Sequence, residues 1–335
     1  MTQGRLMGPP SMGGSMDTTV TDSQFAENVR QGLSANPKYL MSRYFYDARG
    51  DEIFQAIMAS PEYYLTDCEL EILSTQGADI AAALPGRGPL ELIELGSGDG
   101  QKIGHLLDAL HAAGREFVFR PVDISLNSLD LLEDAVRPGR PWLKMDPVHA
   151  NYFRWLDGLA PAAGSRVIAF MGSNLGNFGE DGSLDFLRLL RSSLGTGDAL
   201  LIGLDLKKTP AVIEAAYNDA AGHTRAFNLN LLHRINRELG GEFDPDRFSH
   251  QPEYNPDTGA AQSFLRSEAA QEVFIRATGE TFTFAEGERI HMENSQKYDE
   301  AMIAGLSRRA GFHVAHRFTD TRDWYTDQVW TPMSD

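Results

Sequence analysis

A glycine-rich turn is the feature of this sequence whose residue types most directly suggest chemistry. Gly96, Gly98 and Gly100 follow Glu94 at alternate positions, between an apolar run and a helical pattern. Glycines let a ligand approach the backbone, and the free N–H groups at the start of a helix favour negative or polar ligand groups. The dinucleotide fingerprint G-x-G-x-x-G would require glycine at position 101, where the sequence has Gln101. The spacing therefore argues against a dinucleotide.

A carboxylate follows the turn at a distance that suits nucleotide binding. Asp123 lies twenty-five residues after Gly98, at the end of a second apolar run, in the stretch Pro-Val-Asp-Ile-Ser. A carboxylate at the end of a second strand can accept hydrogen bonds from both ribose hydroxyls. Asp123 could equally cap the helix that begins near Ser125, since Asp and Ser are good N-caps. The pairing with the glycine turn favours the ribose role.

Short apolar runs alternate with helical patterns around these residues and must position them. The runs lack strict alternation, which suits strands buried on both faces of a sheet. They lie at 90–95, 117–124, 167–171 and 199–204, with helical patterns at 103–113, 126–136 and 184–194. Alternating strands and helices predict an α/β fold with a parallel, doubly wound sheet. A weaker strand is expected near 142–145, and His149 is expected in a loop.

Two further parts of the chain have different patterns. Residues 23–73 and 210–239 are helical, with a break expected at Gly222. Alternating runs separated by Gly and Glu turns predict a small antiparallel sheet. These runs lie at 262–265, 272–277, 281–284 and 290–295. We therefore predict a second, α+β domain built from two separated segments.

The C-terminal part of the chain again shows the helical and apolar strand patterns of the predicted α/β sheet. A helix is expected at 299–310, ended by Gly311, and two strands are expected at 313–318 and 325–330. These two strands could complete the α/β sheet.

Composition narrows the possible partners. The chain carries 30 Lys and Arg against 47 Asp and Glu, a net charge of −17, which disfavours nucleic acid and acidic membranes. No apolar run approaches the roughly 18 residues of a membrane span.

The single cysteine, Cys68, excludes an internal disulfide and fits a reducing cytoplasm. Residues 1–18 are expected to be a disordered leader. The histidine spacing predicts no metal site.

The glycine turn, read as Glu/Asp-x-Gly-x-Gly-x-Gly, resembles motif I of S-adenosylmethionine-dependent methyltransferases. Several further motifs are similar to those of the histidine Nα-methyltransferases of ergothioneine biosynthesis, which trimethylate free L-histidine to hercynine. The resemblance runs from about Tyr44 to the C-terminus. Its motifs lie at 44–50, 61–64, 94–98, 172–178, 217–222, 227–228, 236–240, 293–295 and 297–298.

The resemblance implies a class I, Rossmann-like methyltransferase domain at 72–207 and 298–335, which ends in a reversed strand. It also implies a substrate-binding domain at 19–71 and 208–297. S-adenosylmethionine would be the cofactor and S-adenosylhomocysteine its product, with no metal. The residues that match the family's cofactor-binding positions are Tyr46, Gly96, Lys102, Asp123, Asn151 and Tyr152. Tyr46 could instead be an aromatic anchor for the N-terminal helices, and Lys102 a solvated first-turn lysine.

The same resemblance implies the residues that hold histidine. Asn177 and Tyr217 would hold its α-carboxylate, while Tyr63, Glu293 and Ser295 would read the imidazole. Glu293 and Ser295 are two apart on a strand, so both point to one face, which His291 is expected to share. Glu accepts from a ring N–H, and Ser can donate or accept at the other nitrogen.

Simpler interpretations of these residues stay open. Glu293 and Ser295 could belong to an ordinary exposed strand face, and Tyr217 could be a helix residue of the core. Asn177 could be a turn former with positive φ. Ser263 stands where many family members carry methionine beside the substrate, and the smaller side chain leaves room for a larger ring.

The sequence therefore predicts a monomeric, cytoplasmic enzyme that methylates the α-amine of free L-histidine three times, the first step of ergothioneine biosynthesis. No residue is assigned as a general base. One alternative is a methyltransferase for another amino acid or an indole amine, because the family includes ergot-pathway enzymes that methylate a prenylated tryptophan. Another is a non-catalytic module that senses ligands.

Overall fold

The computed structural model describes residues 22–86, 88–98, 100–160, 162 and 164–334. The predicted leader and Asp99 of the glycine turn lie outside these residues. Within them the chain forms two compact units. The first comprises 65–206 and 297–334, and the second comprises 22–64 and 207–296. The assignment of these units to cofactor and substrate stays a prediction.

The helices alternate with strands through the middle of the chain. They are α1 (Asp22–Ser34), α2 (Ala48–Met58), α3 (Tyr64–Ala83), α4 (Ile103–Ala112), α5 (Leu126–Val136), α6 (Tyr152–Asp157), α7 (Gly179–Ser192), α8 (Pro210–Ala216), α9 (His223–Leu239) and α10 (Glu300–Arg309). Asp299 caps the last of these through the N–H of Met302, at 2.9 Å. Gly222 separates α8 from α9 with a φ of 77°, which confirms the predicted break.

The strands range from two to eight residues. They are β1 (Lys38–Tyr39), β2 (Leu90–Leu95), β3 (Phe117–Asp123), β4 (Val148–His149), β5 (Ser165–Phe170), β6 (Ala199–Asp205), β7 (Phe248–Asn255), β8 (Ala260–Ser267), β9 (Gln271–Ile275), β10 (Glu280–Phe284), β11 (Arg289–Gln296), β12 (Phe312–Thr319) and β13 (Tyr325–Pro332).

The first unit contains a seven-stranded sheet in the order β12-β13-β6-β5-β2-β3-β4. Strands β2 to β6 run parallel to one another, whereas β13 is antiparallel to both β6 and β12. The predicted parallel sheet with a reversed terminal strand is therefore confirmed. Strand β3 lies on one side of β2, and the next long strand, β5, lies on the other side, so the strand order reverses direction at β2. In open α/β sheets, ligands bind at the carboxyl ends of strands where the order diverges in this way.

One edge of this sheet differs from the sequence prediction. The edge strand is β4, at Val148–His149, so the expectation that His149 lies in a loop is wrong. The stretch 142–145 forms no strand, although Met145 makes an isolated bridge to Phe119. Trp142 instead stacks on His111, with ring centroids 3.9 Å apart. A strand of two residues is too short to show an apolar pattern in the sequence. Residues 148–149 form a strand because they pair with β3.

The second unit contains a four-stranded sheet in the order β1-β11-β8-β7 and a separate ribbon of β9 and β10. The single antiparallel sheet predicted from sequence is therefore two sheets, and β1 adds a parallel edge. Apolar residues of α1, α2 and α9 form one core with residues of β8 to β11. Strand β7 has no sequence signal, because it is polar and contains Pro252. Proline is tolerated there because β7 is an edge strand.

Candidate active site

The glycine turn lies at the carboxyl end of β2, between β3 and β5. Gly96, Gly98 and Gly100 have φ values of 69°, 57° and 72°, which glycine adopts without the steric cost of a Cβ. The N–H of Gly96 donates to the carbonyl oxygen of Val122 on β3 at 2.9 Å. At Gly98, no heavy atom of the described residues lies within 4 Å of the place a Cβ would occupy. The turn is therefore shaped for close approach of a ligand.

Asp123, the last residue of β3, faces this turn. Its Oδ1 accepts from the N–H of Ser125 at 2.9 Å. Burial raises the pKa of the carboxyl above its usual value, although the N–H groups of Gly98 and Ser97 also face it and act in the opposite direction. Ser125 itself caps α5 by accepting from the N–H of Ser128 at 3.2 Å. Asp123 is therefore not the N-cap, and its assignment to ribose stays a prediction.

Asn151 and Tyr152 follow β4, which pairs with β3 so that His149 lies opposite Asp123. Asn151 caps α6, and its Oδ1 accepts from the N–H of Phe153 at 3.0 Å. Burial raises the pKa of the Tyr152 hydroxyl, and the nearby charge of Asp123 raises it further. The structure therefore brings Asp123 and Tyr152 together at neighbouring strand ends, with the Asn151 amide in a capping role.

Lys102 stands immediately before α4 and forms an ion pair with Glu69 of α3. Burial opposes the charge of Lys102, but Glu69 raises its pKa above the usual value. Glu69 is fully buried, and its Oε1 accepts from the N–H of Gly172 and from the hydroxyl of Tyr325, both at 2.8 Å. Lys102 is therefore a paired, positively charged group and not the solvated lysine of the alternative interpretation.

Three of the predicted ligand-binding residues lie within electrostatic reach of the Tyr46 hydroxyl in the second unit. The pKa of the Tyr46 hydroxyl is raised well above its usual value by burial, by the charge of Glu293, and by Tyr63 and Tyr217. The Tyr46 ring packs edge-on against Phe227, with centroids 5.4 Å apart. Tyr46 therefore does anchor aromatic packing, and it lies in the same unit as most of the residues predicted to hold histidine.

Tyr217 is the C-cap of α8 and is half-buried, so it is not a core helix residue. Its hydroxyl donates to Ser295 Oγ at 2.7 Å, which joins two residues of the predicted histidine set. Tyr217 also lines a cavity of about 180 Å³ with residues of α8, β7 and β8.

A β-bulge decides which way the residues of β11 point. His291 pairs with Phe264 of β8, and Glu293, two residues later, pairs with the adjacent Ser263. Because adjacent strand residues point to opposite faces, His291 and Glu293 lie on opposite faces of the sheet. The prediction that His291 shares the face of Glu293 is wrong. Alternation with a period of two holds only in a regular strand, and the bulge adds the extra residue Met292 between them.

Glu293 and Ser295 do share one face, as the spacing predicts, opposite Ser263 and Ala261. Ser263 is buried, and its Oγ lies 3.3 Å from Nε2 of His250 on β7. Burial lowers the pKa of His250 to about 4, so its ring is neutral at neutral pH. The serine beside Glu293 is therefore held by a neutral imidazole of the protein itself.

Asn177 belongs to the first unit, in a 3-10 turn at Asn174–Phe178 after β5. The positive φ angles of this loop are those of Gly172, Ser173 and Gly179. Asn177 is not among them, so its interpretation as a turn former with positive φ is wrong. Asn177 is half-buried. Its assignment to the substrate carboxylate stays a prediction.

Sequence reasoning missed Glu69. It lies on the apolar face of α3 with the buried residues Leu65, Cys68 and Ile72, at helical spacing. A charged residue at a core position of an amphipathic pattern was the available signal, because such residues are seldom fully buried without a partner.

A family described as the histidine-specific, S-adenosylmethionine-dependent methyltransferases has a model that matches residues 25–332. The chain belongs to this family. The histidine N-alpha-methyltransferase of Mycolicibacterium smegmatis is 38% identical to it over 293 residues, which cover 88% of this chain and 90% of that protein. Ergothioneine biosynthesis protein 1 of Neurospora crassa is 30% identical over 302 residues, covering 84% of this chain and 32% of that protein.

Among solved structures, the glycopeptide N-methyltransferase MtfA in complex with S-adenosylmethionine is 14% identical. It aligns with a TM-score of 0.39 over 78% of this chain and 94% of that one. The strand order of this histidine-specific methyltransferase, with β13 reversed between β6 and β12, is that of a class I methyltransferase. Within the described residues, no helix is both long and apolar enough to cross a membrane. The same residues contain no group of three or more His, Cys, Asp or Glu that could hold a metal ion.

Proposed function

We propose that this protein transfers three methyl groups from S-adenosylmethionine to the α-amine of free L-histidine and so forms hercynine, the first step of ergothioneine biosynthesis. The observation that carries the proposal is the grouping of Tyr46, Tyr63, Tyr217 and Glu293 in one unit, with Ser295 bonded to Tyr217. The family resemblance assigns Tyr63, Tyr217, Glu293 and Ser295 to histidine, and it assigns Tyr46 to the cofactor.

The imidazole has one N–H donor and one acceptor nitrogen when neutral. Glu293 can accept from the N–H, and the hydroxyl of Ser295, which accepts from Tyr217, is of a type that can donate or accept at the other nitrogen. A plain aromatic ring offers no N–H group from which Glu293 could accept. The pair therefore favours imidazole over an apolar ring.

The residues of the first unit fit S-adenosylmethionine. Gly98, with a positive φ and no heavy atom of the described residues within 4 Å of its Cβ position, leaves room beside the backbone, and Asp123 would accept from the ribose hydroxyls. Tyr152, beside Asp123, would contact the adenosine, with Asn151 holding the start of its helix. When bound, S-adenosylmethionine supplies an electrophilic methyl group on a sulfonium.

The protein's own part in the chemistry is orientation and control of protonation. An α-amine is largely protonated at neutral pH, and only its neutral form has the lone pair that accepts a methyl group. The Tyr46 hydroxyl is protonated at neutral pH, and its pKa is raised further, so it can donate a hydrogen bond but is not available as a base. We assign no general base, and proximity supplies most of the acceleration. Methylation ends when the nitrogen has no lone pair left.

The direct test incubates the purified protein with S-adenosylmethionine and the twenty amino acids and records product masses. We expect one, two and three methyl additions on histidine alone. A mass gain on tryptophan or any other amino acid in place of histidine would overturn the substrate assignment. Binding of both ligands without any product would identify a sensing module. The cytoplasmic location and the monomeric state stay predictions.

A further inference from the structure

We propose that Glu69 is a positioning residue for Lys102, which it holds charged and aimed to receive the α-carboxylate of the methyl donor. The inference rests on the proposed function, because it takes S-adenosylmethionine as the ligand of the first unit. It extends that function to a residue of α3 that neither the motifs nor the family resemblance assigned.

The chemistry of the donor points to its carboxylate. S-adenosylmethionine carries a sulfonium, an ammonium group and a carboxylate, and the carboxylate is its one anionic group. Lys102 follows the glycine turn by two residues, and its Nζ lies 3.8 Å from the place a Cβ would occupy on Gly172, after β5. An ammonium group at the carboxyl ends of β2 and β5 is suited to bind an anion as a charge-assisted pair.

Glu69 is built into the fold in a way that fixes this ammonium group. One carboxylate oxygen pairs with Lys102, and the other accepts from Gly172 N–H and Tyr325 hydroxyl at 2.8 Å each. Glu69 is 0% exposed, and these three donors compensate its carboxylate for the loss of hydration on burial. The contacts join α3, the start of α4, the end of β5 and β13, and they leave the Glu69 side chain little freedom to move.

A second carboxyl group supports this arrangement. Asp327 of β13 is fully buried, and neither of its oxygens accepts a hydrogen bond from a donor among the described residues. Burial, and next the charge of Glu69, raise the pKa of Asp327 well above its usual value. Asp327 and Glu94 also raise the pKa of Lys102, after the larger effect of Glu69. Glu69 is the carboxylate that pairs directly with Lys102.

Strand β6 leaves space for this cluster at Gly203. A Cβ on Gly203 would lie 2.5 Å from the Tyr325 hydroxyl and 3.1 Å from Asp327 Oδ1, and it would overlap Glu69 Oε1. The cluster therefore occupies the volume that a side chain of the central sheet would fill. Such a packed polar group is rigid, which is the property that a positioning role requires.

The test measures binding of two ligands to the full chain by isothermal titration calorimetry. S-adenosylhomocysteine has the amino-acid carboxylate, whereas 5′-methylthioadenosine keeps the adenosine and the thioether but lacks it. We expect Glu69→Gln to weaken S-adenosylhomocysteine about tenfold and 5′-methylthioadenosine less than about twofold. In a Lys102→Met background, Glu69→Gln should cost less than about twofold further for either ligand.

Glu91→Gln is the matched control. Glu91 pairs with Arg120 and Arg166 near the other end of β2, so the same chemical change breaks a half-buried ion pair of the same sheet. We expect it to leave both affinities within about twofold of the wild type. If Glu69→Gln does not fold, Tyr325→Phe removes one donor from Glu69 and should give the same selectivity, with a loss of about threefold.

Equal losses for the two ligands, or a loss that persists in the Lys102→Met background, would make Glu69 a structural residue and overturn the inference. Unchanged or tighter binding of S-adenosylhomocysteine by Glu69→Gln would overturn it as well. These outcomes leave the proposed function intact. Failure of the wild-type protein to bind S-adenosylhomocysteine would instead overturn the proposed function, and this inference with it.

Discussion

Ser263 lies directly opposite Glu293 on the neighbouring antiparallel strands β8 and β11. Side chains of such a pair stand about 5 Å apart on the same face of a sheet. The buried Ser263 hydroxyl and its partner His250 therefore border the carboxylate that we assign to the imidazole of the substrate. The second unit presents a polar patch at this point, with the Tyr217–Ser295 hydrogen bond two residues further along β11.

Replacing Glu293 by alanine should reduce histidine affinity by about a hundredfold, because the ring N–H loses a charged acceptor. Affinity for S-adenosylhomocysteine should change by less than about twofold. Titration calorimetry with each ligand measures both effects. Glu280→Ala, at a half-exposed glutamate of β10, is the control and should alter neither. Similar losses for the two ligands would assign Glu293 a structural role.

Replacing Asp123 by alanine should have the opposite selectivity. Two ribose hydroxyls lose their acceptor, so affinity for S-adenosylhomocysteine should fall by about a hundredfold while histidine affinity is retained. Asp130→Ala, at an exposed position of α5, provides a comparison in the same region. Unchanged cofactor affinity in Asp123→Ala would reject the ribose assignment and leave the residue as a support for the turn before α5.

The half-buried His250 should make the protein less stable in mild acid. Its pKa is about 4 in the folded protein against an ordinary value of 6.5, so the unfolded chain binds a proton that the folded protein excludes. The contribution of the neutral His250 to the free energy of unfolding is fully present above pH 6.5. It is lost as the pH decreases towards 4, by up to about 3 kcal/mol. Denaturant unfolding across this range should show a smaller fall in His250→Gln than in the wild type. His313→Gln, on the exposed side of β12, should behave as the wild type does.

Gly203→Ala should destabilise the first unit by about 3 kcal/mol, because the added methyl group overlaps Glu69 and Tyr325 in a packed polar cluster. Gly305→Ala provides the contrast. Gly305 lies inside α10, and no heavy atom of the described residues lies within 4 Å of a Cβ there. This second change should stabilise the protein by about 0.5–1 kcal/mol. Unfolding midpoints compare the two variants, and equal effects would contradict the description of the cluster.

Local patterns in the sequence were enough for most elements of the first unit, although not for β4 and α6. The run at Leu90–Leu95 and the helix at Leu126–Val136 have the predicted bounds, and the glycine spacing alone excluded the dinucleotide fingerprint. Each of these signals lies within a few consecutive residues, where period and backbone preference act directly. The family motifs then implied the fold, and the strand order confirms it.

The tertiary structure decided what depends on pairing between distant segments. The bulge beside Met292 separates His291 from Glu293, and polar β7 is a strand only because β8 pairs with it. The role of Glu69 rests on partners 33, 103 and 256 residues away in the chain. The register of two strands, the burial of a charge and the meeting of strand ends all depend on interactions between segments that are distant in the chain. No pattern along one segment encodes these interactions.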